Sequence, residues 1–124
     1  MSTFGDDVTA LLDRTREVDI ETRSAKGEIH HVTIWIVVVD GAPYVRSYLG
    51  AKGRWHRELL ARKTGALVIG TRRLPVRPAR VRSDELIRAV SAGFRRKYPR
   101  SGSSLAAMVR REVLDTTLRL EPAE

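Results

Sequence analysis

Residues 32–47 read VTIWIVVVDGAPYVRS. From Val32 to Val39 the side chains are β-branched or aromatic on both faces, with Thr33 the polar exception. Such a run lacks the alternation of a half-exposed strand, so it predicts a central strand buried on both sides. Asp40-Gly41 follows. Both residue types tolerate the positive φ angles of a tight primed turn, which makes the pair a strong hairpin signal. The chain then returns along a second strand over residues 43–48.

Upstream, Val18, Ile20 and Thr22 alternate with Asp19, Glu21 and Arg23, the period of a half-buried strand. Lys26-Gly27 supplies the turn between the two. Phe4, Val8, Leu11 and Leu12 fall at helical spacing, with Asp6 and Asp7 early and Arg14 and Arg16 late, as the helix dipole favours. Downstream, Gly50 to Gly53 forms a small-residue loop, and Trp55, Leu59 and Leu60 open a helix that Gly65 closes. Residues 66–69 and 73–82 predict two strands, the second pushed to an edge or a bulge by Pro75 and Pro78. Leu86, Ile87, Val90, Phe94 and Tyr98 make an amphipathic helix with Ser83 as N-cap. Residues 99–104 read as a loop. Leu114, Thr116, Leu118 and Leu120 alternate with polar residues, giving a last strand.

The expected fold class is α+β: a six-stranded, mostly antiparallel sheet that curls and closes, with flanking helices. A single domain over residues 1–124 is expected, with an N-terminal helix (1–16), a barrel core (17–82), a helix (83–99) and a final strand (112–122). No repeat is present.

The chain has 23 Lys and Arg against 15 Asp and Glu, a formal charge of +8, which favours a polyanionic or phosphorylated partner. There is no cysteine, which excludes disulfides, thiolate metal sites and a cysteine nucleophile. The acidic, polar start does not resemble a signal peptide, and the longest apolar run is too short to cross a bilayer. A cytoplasmic location, with no membrane partner, is the expectation.

The candidate site lies in residues 44–57. A strand carrying Arg46 and Ser47 delivers the chain to Gly50-Ala51-Lys52-Gly53, and a helix starts at Arg54 and Trp55. Glycines let backbone amides approach an anion, the helix start adds positive potential, and Lys52, Arg54 and Arg57 add charge. Arg can grip phosphate through two parallel hydrogen bonds. No metal site is expected, because His30, His31 and His56 lack metal-ligand spacing. No paired carboxylates, nucleophile elbow or P-loop names a catalytic residue. Arg72, Arg73, Arg77, Arg80 and Arg82 form a basic stripe that suits either solvent or nucleic acid.

Several of these features together resemble the FMN- and deazaflavin-binding split-barrel superfamily, particularly its deazaflavin-dependent nitroreductase branch. The matching positions are Lys26-Gly27, His31-Val32-Thr33-Ile34, Asp40-Gly41, Ser47, Lys52 and Trp55-His56. His31 and Ile34 stand where that branch has Arg and Pro, His56 replaces a Tyr, and the loop between Lys52 and Trp55 is shorter. A closer similarity, over residues 18–122 and especially in the ending Glu112 to Leu120, is to the bacterial domain of unknown function 2255. The resemblance implies a split barrel holding FMN or the deazaflavin F420. In it Ser47, Lys52, Gly53 and Arg54 would hold phosphate, with Arg46 as a substitute contact, and Thr33 and Trp55 would line the ring. It also implies an oxidoreductase passing hydride to a small acceptor, and a homodimer with sites at its interface, paired through strand positions such as Val37, Val38 and Leu118. The competing readings are a non-enzymatic basic protein binding nucleic acid or another anion, and a dimeric scaffold without cofactor.

Overall fold

The computed structural model describes residues 3–123. Helix α1 (Asp6–Arg14) precedes strands β1 (Glu17–Arg23), β2 (Ile29–Trp35), β3 (Val37–Val39) and β4 (Ala42–Val45). A 3-10 turn (Gly50–Lys52) leads into α2 (Arg54–Arg62), then β5 (Gly65–Ile69), β6 (Arg72–Arg80), α3 (Asp84–Lys97) and α4 (Gly102–Val109). A second 3-10 segment (Arg111–Thr116) precedes β7 (Leu118–Pro122).

The fold is α+β, with one antiparallel sheet and flanking helices. The sheet has seven strands in the order β2-β1-β5-β6-β7-β4-β3, where six were expected. The extra strand comes from the run at residues 32–39. It is not one central strand. It breaks at Ile36 into β2 and β3, which sit at the two opposite ends of the sheet order. Because one residue joins the two end strands, the sheet must curl until its edges nearly meet.

The cause of the break lies far along the chain. The Ile36 N–H donates to the Tyr98 hydroxyl at 3.2 Å, and the Ile36 carbonyl accepts from Lys97 Nζ at 2.7 Å. Both backbone groups of Ile36 are therefore taken by side chains at the end of α3, and neither serves a sheet ladder. Lys97 Nζ also donates to the carbonyls of Leu12 and Thr15 at 3.0 and 2.7 Å, which ties the end of α1 to the same point.

Three further expectations change. Pro75 and Pro78 sit on an interior strand, not an edge. β6 pairs with β5 over residues 72–76 and with β7 over 76–80, so Pro78 lies past the end of the β5 ladder and Pro75 past the end of the β7 ladder, where only its carbonyl is used, accepting from the Ala123 N–H at 2.9 Å. The last strand starts at Leu118, because the Thr116 and Thr117 hydroxyls bond back to Val113 and Leu114 carbonyls at 2.6 and 2.7 Å and hold a 3-10 turn. The loop at residues 99–104 gives way to α4, whose Leu105, Met108 and Val109 face α3 at helical spacing.

Two apolar clusters result. Val18, Ile20, Ile36, Leu67, Leu118 and Leu120 are among those that fill the inside of the curl. Val37, Tyr44, Val90, Phe94, Tyr98 and Met108 fill the space under α3 and α4. Val37 and Leu118 are thus core residues, 1% and 0% exposed, and offer no face for a second subunit.

Candidate functional site

β4 ends at Val45, and the next two residues are fully buried on opposite sides of the chain. Arg46 reaches toward α3 and α4. Its Nε donates to Thr117 Oγ1 at 2.8 Å, Nη1 to Ser91 Oγ at 2.8 Å and the Met108 carbonyl at 3.1 Å, and Nη2 to the Ile87 carbonyl at 2.9 Å. Its Cζ lies 5.3 Å from the Phe94 ring centroid. Among the described residues no carboxylate pairs with it. Burial, with the nearby Arg95 charge, pushes its pKa down to about 10, so it stays a cation at neutral pH.

Ser47 points the other way. Its Oγ is buried and has no hydrogen-bond partner. The chain turns at Gly50, whose φ of +69° suits glycine, and Gly50 N–H closes the turn on the Ser47 carbonyl at 3.0 Å. Gly53 then caps α2 with no side-chain cap bond. A Cβ on Gly53 would collide with Ser47 Oγ, so only glycine lets the start of α2 lie against that hydroxyl. The amides of Arg54, Trp55 and His56 have no partner within the helix, as for any first turn. An unpartnered hydroxyl, a glycine cradle and a helix N-terminus meet at one point.

That point opens into a cleft of about 510 Å³ between β2 and the start of α2. Thr33, Arg46, Ser47, Gly53, Arg54 and Trp55 all line it. Lys52 does not line it; its side chain is exposed and its carbonyl accepts from Arg57 Nε at 3.2 Å. Trp55 is 6% exposed and packs into the core while one side meets the cleft. His56, beside it, is pushed below its ordinary pKa by burial, and its neutral ring donates from Nε2 to the Thr116 carbonyl at 3.2 Å.

The structure adds wall residues that sequence periodicity did not single out. Trp35 lines the cleft and stacks on Tyr98 with centroids 3.9 Å apart and planes 2° from parallel. Met108 and Ser104 close it from α4, and Tyr48 and Leu49, 55% and 66% exposed, form its rim. Exposed aromatic and leucine side chains beside the Gly50 loop were the available signal. The α4 contributions were hidden by reading residues 99–104 as a loop.

A curled antiparallel sheet with its edges drawn together, and a cleft between an edge strand and a helix N-terminus, define a split-barrel protein. Within that class the chain belongs to the family described as an uncharacterized protein conserved in bacteria, domain of unknown function 2255, which matches residues 8–120. Solved structures share the fold at low identity. HutZ of Vibrio cholerae, described as a heme storage protein, superposes with a TM-score of 0.70 at 13% identity, covering 98% of this chain and 92% of that one. A conserved hypothetical protein of Mycobacterium tuberculosis gives 0.65 at 14%, covering 96% and 79%. An F420-H2 dependent reductase gives 0.60 at 18%, covering 85% and 93%. No curated protein matches the sequence. Among the described residues no helix is long and apolar enough to cross a membrane.

Proposed function

We propose that the cleft binds a planar cofactor bearing a phosphate, FMN or the deazaflavin F420. The observation that carries this reading is the buried, unpartnered Ser47 Oγ held against the start of α2 by Gly53. A buried hydroxyl without a partner costs roughly 1–3 kcal/mol, so its retention suits a site that a ligand completes. An anion is the complementary group, because the surrounding donors are first-turn amides, the Ser47 hydroxyl and the Arg54 guanidinium. The remaining walls, Val32, Ile34, Trp35, Trp55 and Met108 among them, suit the flat apolar part of such a molecule. The shared fold with an F420-H2 dependent reductase and with a heme storage protein supports a ligand of this size.

When bound, such a cofactor supplies hydride chemistry. The chain's own part is to anchor phosphate at Ser47 and Arg54, to orient the ring between Thr33 and Trp55, and to keep water from it. Arg46 acts from behind, holding β4 to α3 and α4 so that Ser47 stays in place. Lys52 contributes charge at a distance. A homodimer formed through the exposed rim at Tyr48 and Leu49, and a cytoplasmic location, complete this reading. The basic stripe favours nucleic acid less, since Arg73 and Arg77 are paired with Glu21 and Glu121.

Calorimetric titration of FMN and of F420 tests the reading. Arg54→Ala is expected to lose roughly ten- to a hundredfold in affinity, the worth of one charge-assisted contact. Lys52→Ala should lose about twofold or less. Riboflavin, which lacks the phosphate, should bind far more weakly than FMN. Wild type that binds neither cofactor at high micromolar concentration would refute the proposal.

A further inference from the structure

The cleft has a second polar feature, built on β1 and β2 and distinct from the Ser47 cradle. Trp35 is the last residue of β2, and Glu17, the first of β1, lies directly opposite it in the antiparallel ladder. Cross-strand partners of this kind project to the same face, with their Cβ atoms about 5 Å apart. Both side chains line the cleft. One face of the Trp35 indole is already taken. Tyr98 stacks on it with planes 2° from parallel, and Phe94, one turn earlier on α3, has its ring centroid 6.4 Å away. Tyr98 is itself held in place: its hydroxyl donates to the Arg16 carbonyl at 2.6 Å and accepts from the Ile36 N–H at 3.2 Å. With α3 on one side, the surface that the half-buried Trp35 gives to the cleft is on the other. A rigid indole face open to a cavity is a platform for a flat ring.

Glu17 stands beside that platform. Among the described residues it is the only carboxylate lining the cleft, whose other charged wall residues are Arg46 and Arg54. Its side chain is exposed and enters no ion pair with a described residue. Arg16, its neighbour in the chain, is turned to α3, with Cζ 5.0 Å from the Tyr98 ring centroid and Nη1 donating to the Lys97 carbonyl at 3.4 Å. A carboxylate accepts hydrogen bonds and donates none. It repels a phosphate or a carboxylate and suits an N–H donor. The imide edge of a flavin or deazaflavin ring carries one such N–H, whereas a porphyrin carries carboxylate side chains.

We propose that Trp35 and Glu17 form the ring-recognition half of the site: the ligand's flat ring lies on the free face of Trp35, and its imide N–H donates to the Glu17 carboxylate. This rests on the cofactor reading above and narrows the ligand class to a ring that ends in an N–H donor. Thr33, two residues earlier on the same face of β2, continues the platform along the strand. The pair also sets the direction of binding, because the phosphate is drawn to Ser47 and Arg54 and turned away from Glu17.

The test is calorimetric titration of FMN, and of FMN methylated at the imide nitrogen, into wild type and variants; F420 and its imide-methylated form take their place if FMN does not bind. Wild type should bind the methylated form about tenfold more weakly, the value of one charge-assisted hydrogen bond. Glu17→Ala, a change at an exposed position, should lose the same factor for the parent cofactor and no longer distinguish the two forms. Bound to wild type, the cofactor should show the long-wavelength absorption of a ring stacked on an indole. Trp35→Leu should lose that band and about three- to tenfold in affinity, and Trp35→Tyr should recover most of the affinity. Equal methylation penalties in wild type and Glu17→Ala, or an unchanged band in Trp35→Leu, overturn this inference and leave the cofactor reading standing. A wild type that binds neither FMN nor F420 overturns both.

Discussion

At the scale of single residues, Arg46 and Ser47 show how neighbours in sequence divide into a fully bonded support and an unpartnered hydroxyl. Arg46 is a buried cation satisfied by neutral acceptors on three elements, so its fork of donors cannot be replaced by a lysine ammonium. Arg46→Lys is expected to lower stability by roughly 2–3 kcal/mol, read from urea unfolding midpoints, because at least one buried carbonyl or hydroxyl loses its donor. Ser47→Ala should do the opposite. Removing an unpartnered buried hydroxyl should raise stability by about 1 kcal/mol while weakening FMN binding. A destabilised Ser47→Ala protein would mean that the hydroxyl has a partner within the protein. Sequence reasoning singled out both residues, which line the cleft, because the strand, loop and helix start are contiguous. It did not separate their roles, since the acceptors of Arg46 lie 41 to 71 residues away.

At the scale of elements, the break at Ile36 deserves a pH test because its fasteners titrate. Burial pushes the Tyr98 hydroxyl up to about 12 from its ordinary 10.0. The folded state keeps the phenol proton longer than the unfolded chain, so this contribution to stability is complete below pH 10 and falls as the pH rises toward 12. Burial pushes Lys97 the other way, to about 8 from 10.5. Here the unfolded chain binds the proton more tightly, and stability rises with pH between 8 and 10.5. Denaturant unfolding at stepped pH should show the alkaline fall in wild type and a smaller fall in Tyr98→Phe. Gly93 belongs to the same element: a Cβ there would sit 3.3 Å from Val39 Cγ2, so Gly93→Leu should push α3 off β3 and lower the unfolding temperature.

At the scale of the whole molecule, the proposed dimer would pair through the rim of the cleft. Tyr48 and Leu49 are exposed at the rim of the cleft, whereas Val37 and Leu118, two of the strand positions first considered for pairing, are buried in the cores. Sedimentation should give twice the chain mass for wild type and the monomer mass for Leu49→Glu, with FMN affinity reduced in the monomer. A wild-type monomer at micromolar concentration would remove the dimer from the reading.

What the sequence determined by itself was local. The strand alternation of β1, the Asp40-Gly41 hairpin, the Ser83-capped α3 and the Ser47-to-Trp55 segment were all legible, because each depends on the period and φ preferences of adjacent residues. The family resemblance supplied the curl. The tertiary structure alone decided where the longest apolar run breaks, why two prolines sit inside the sheet, and which side chains from α4 close the cleft. It also decided that His30 meets Glu58, 28 residues away. A backbone carbonyl at Ile36 leaves the sheet only when Lys97 and Tyr98 are folded against it, and no pattern near Ile36 carries that information.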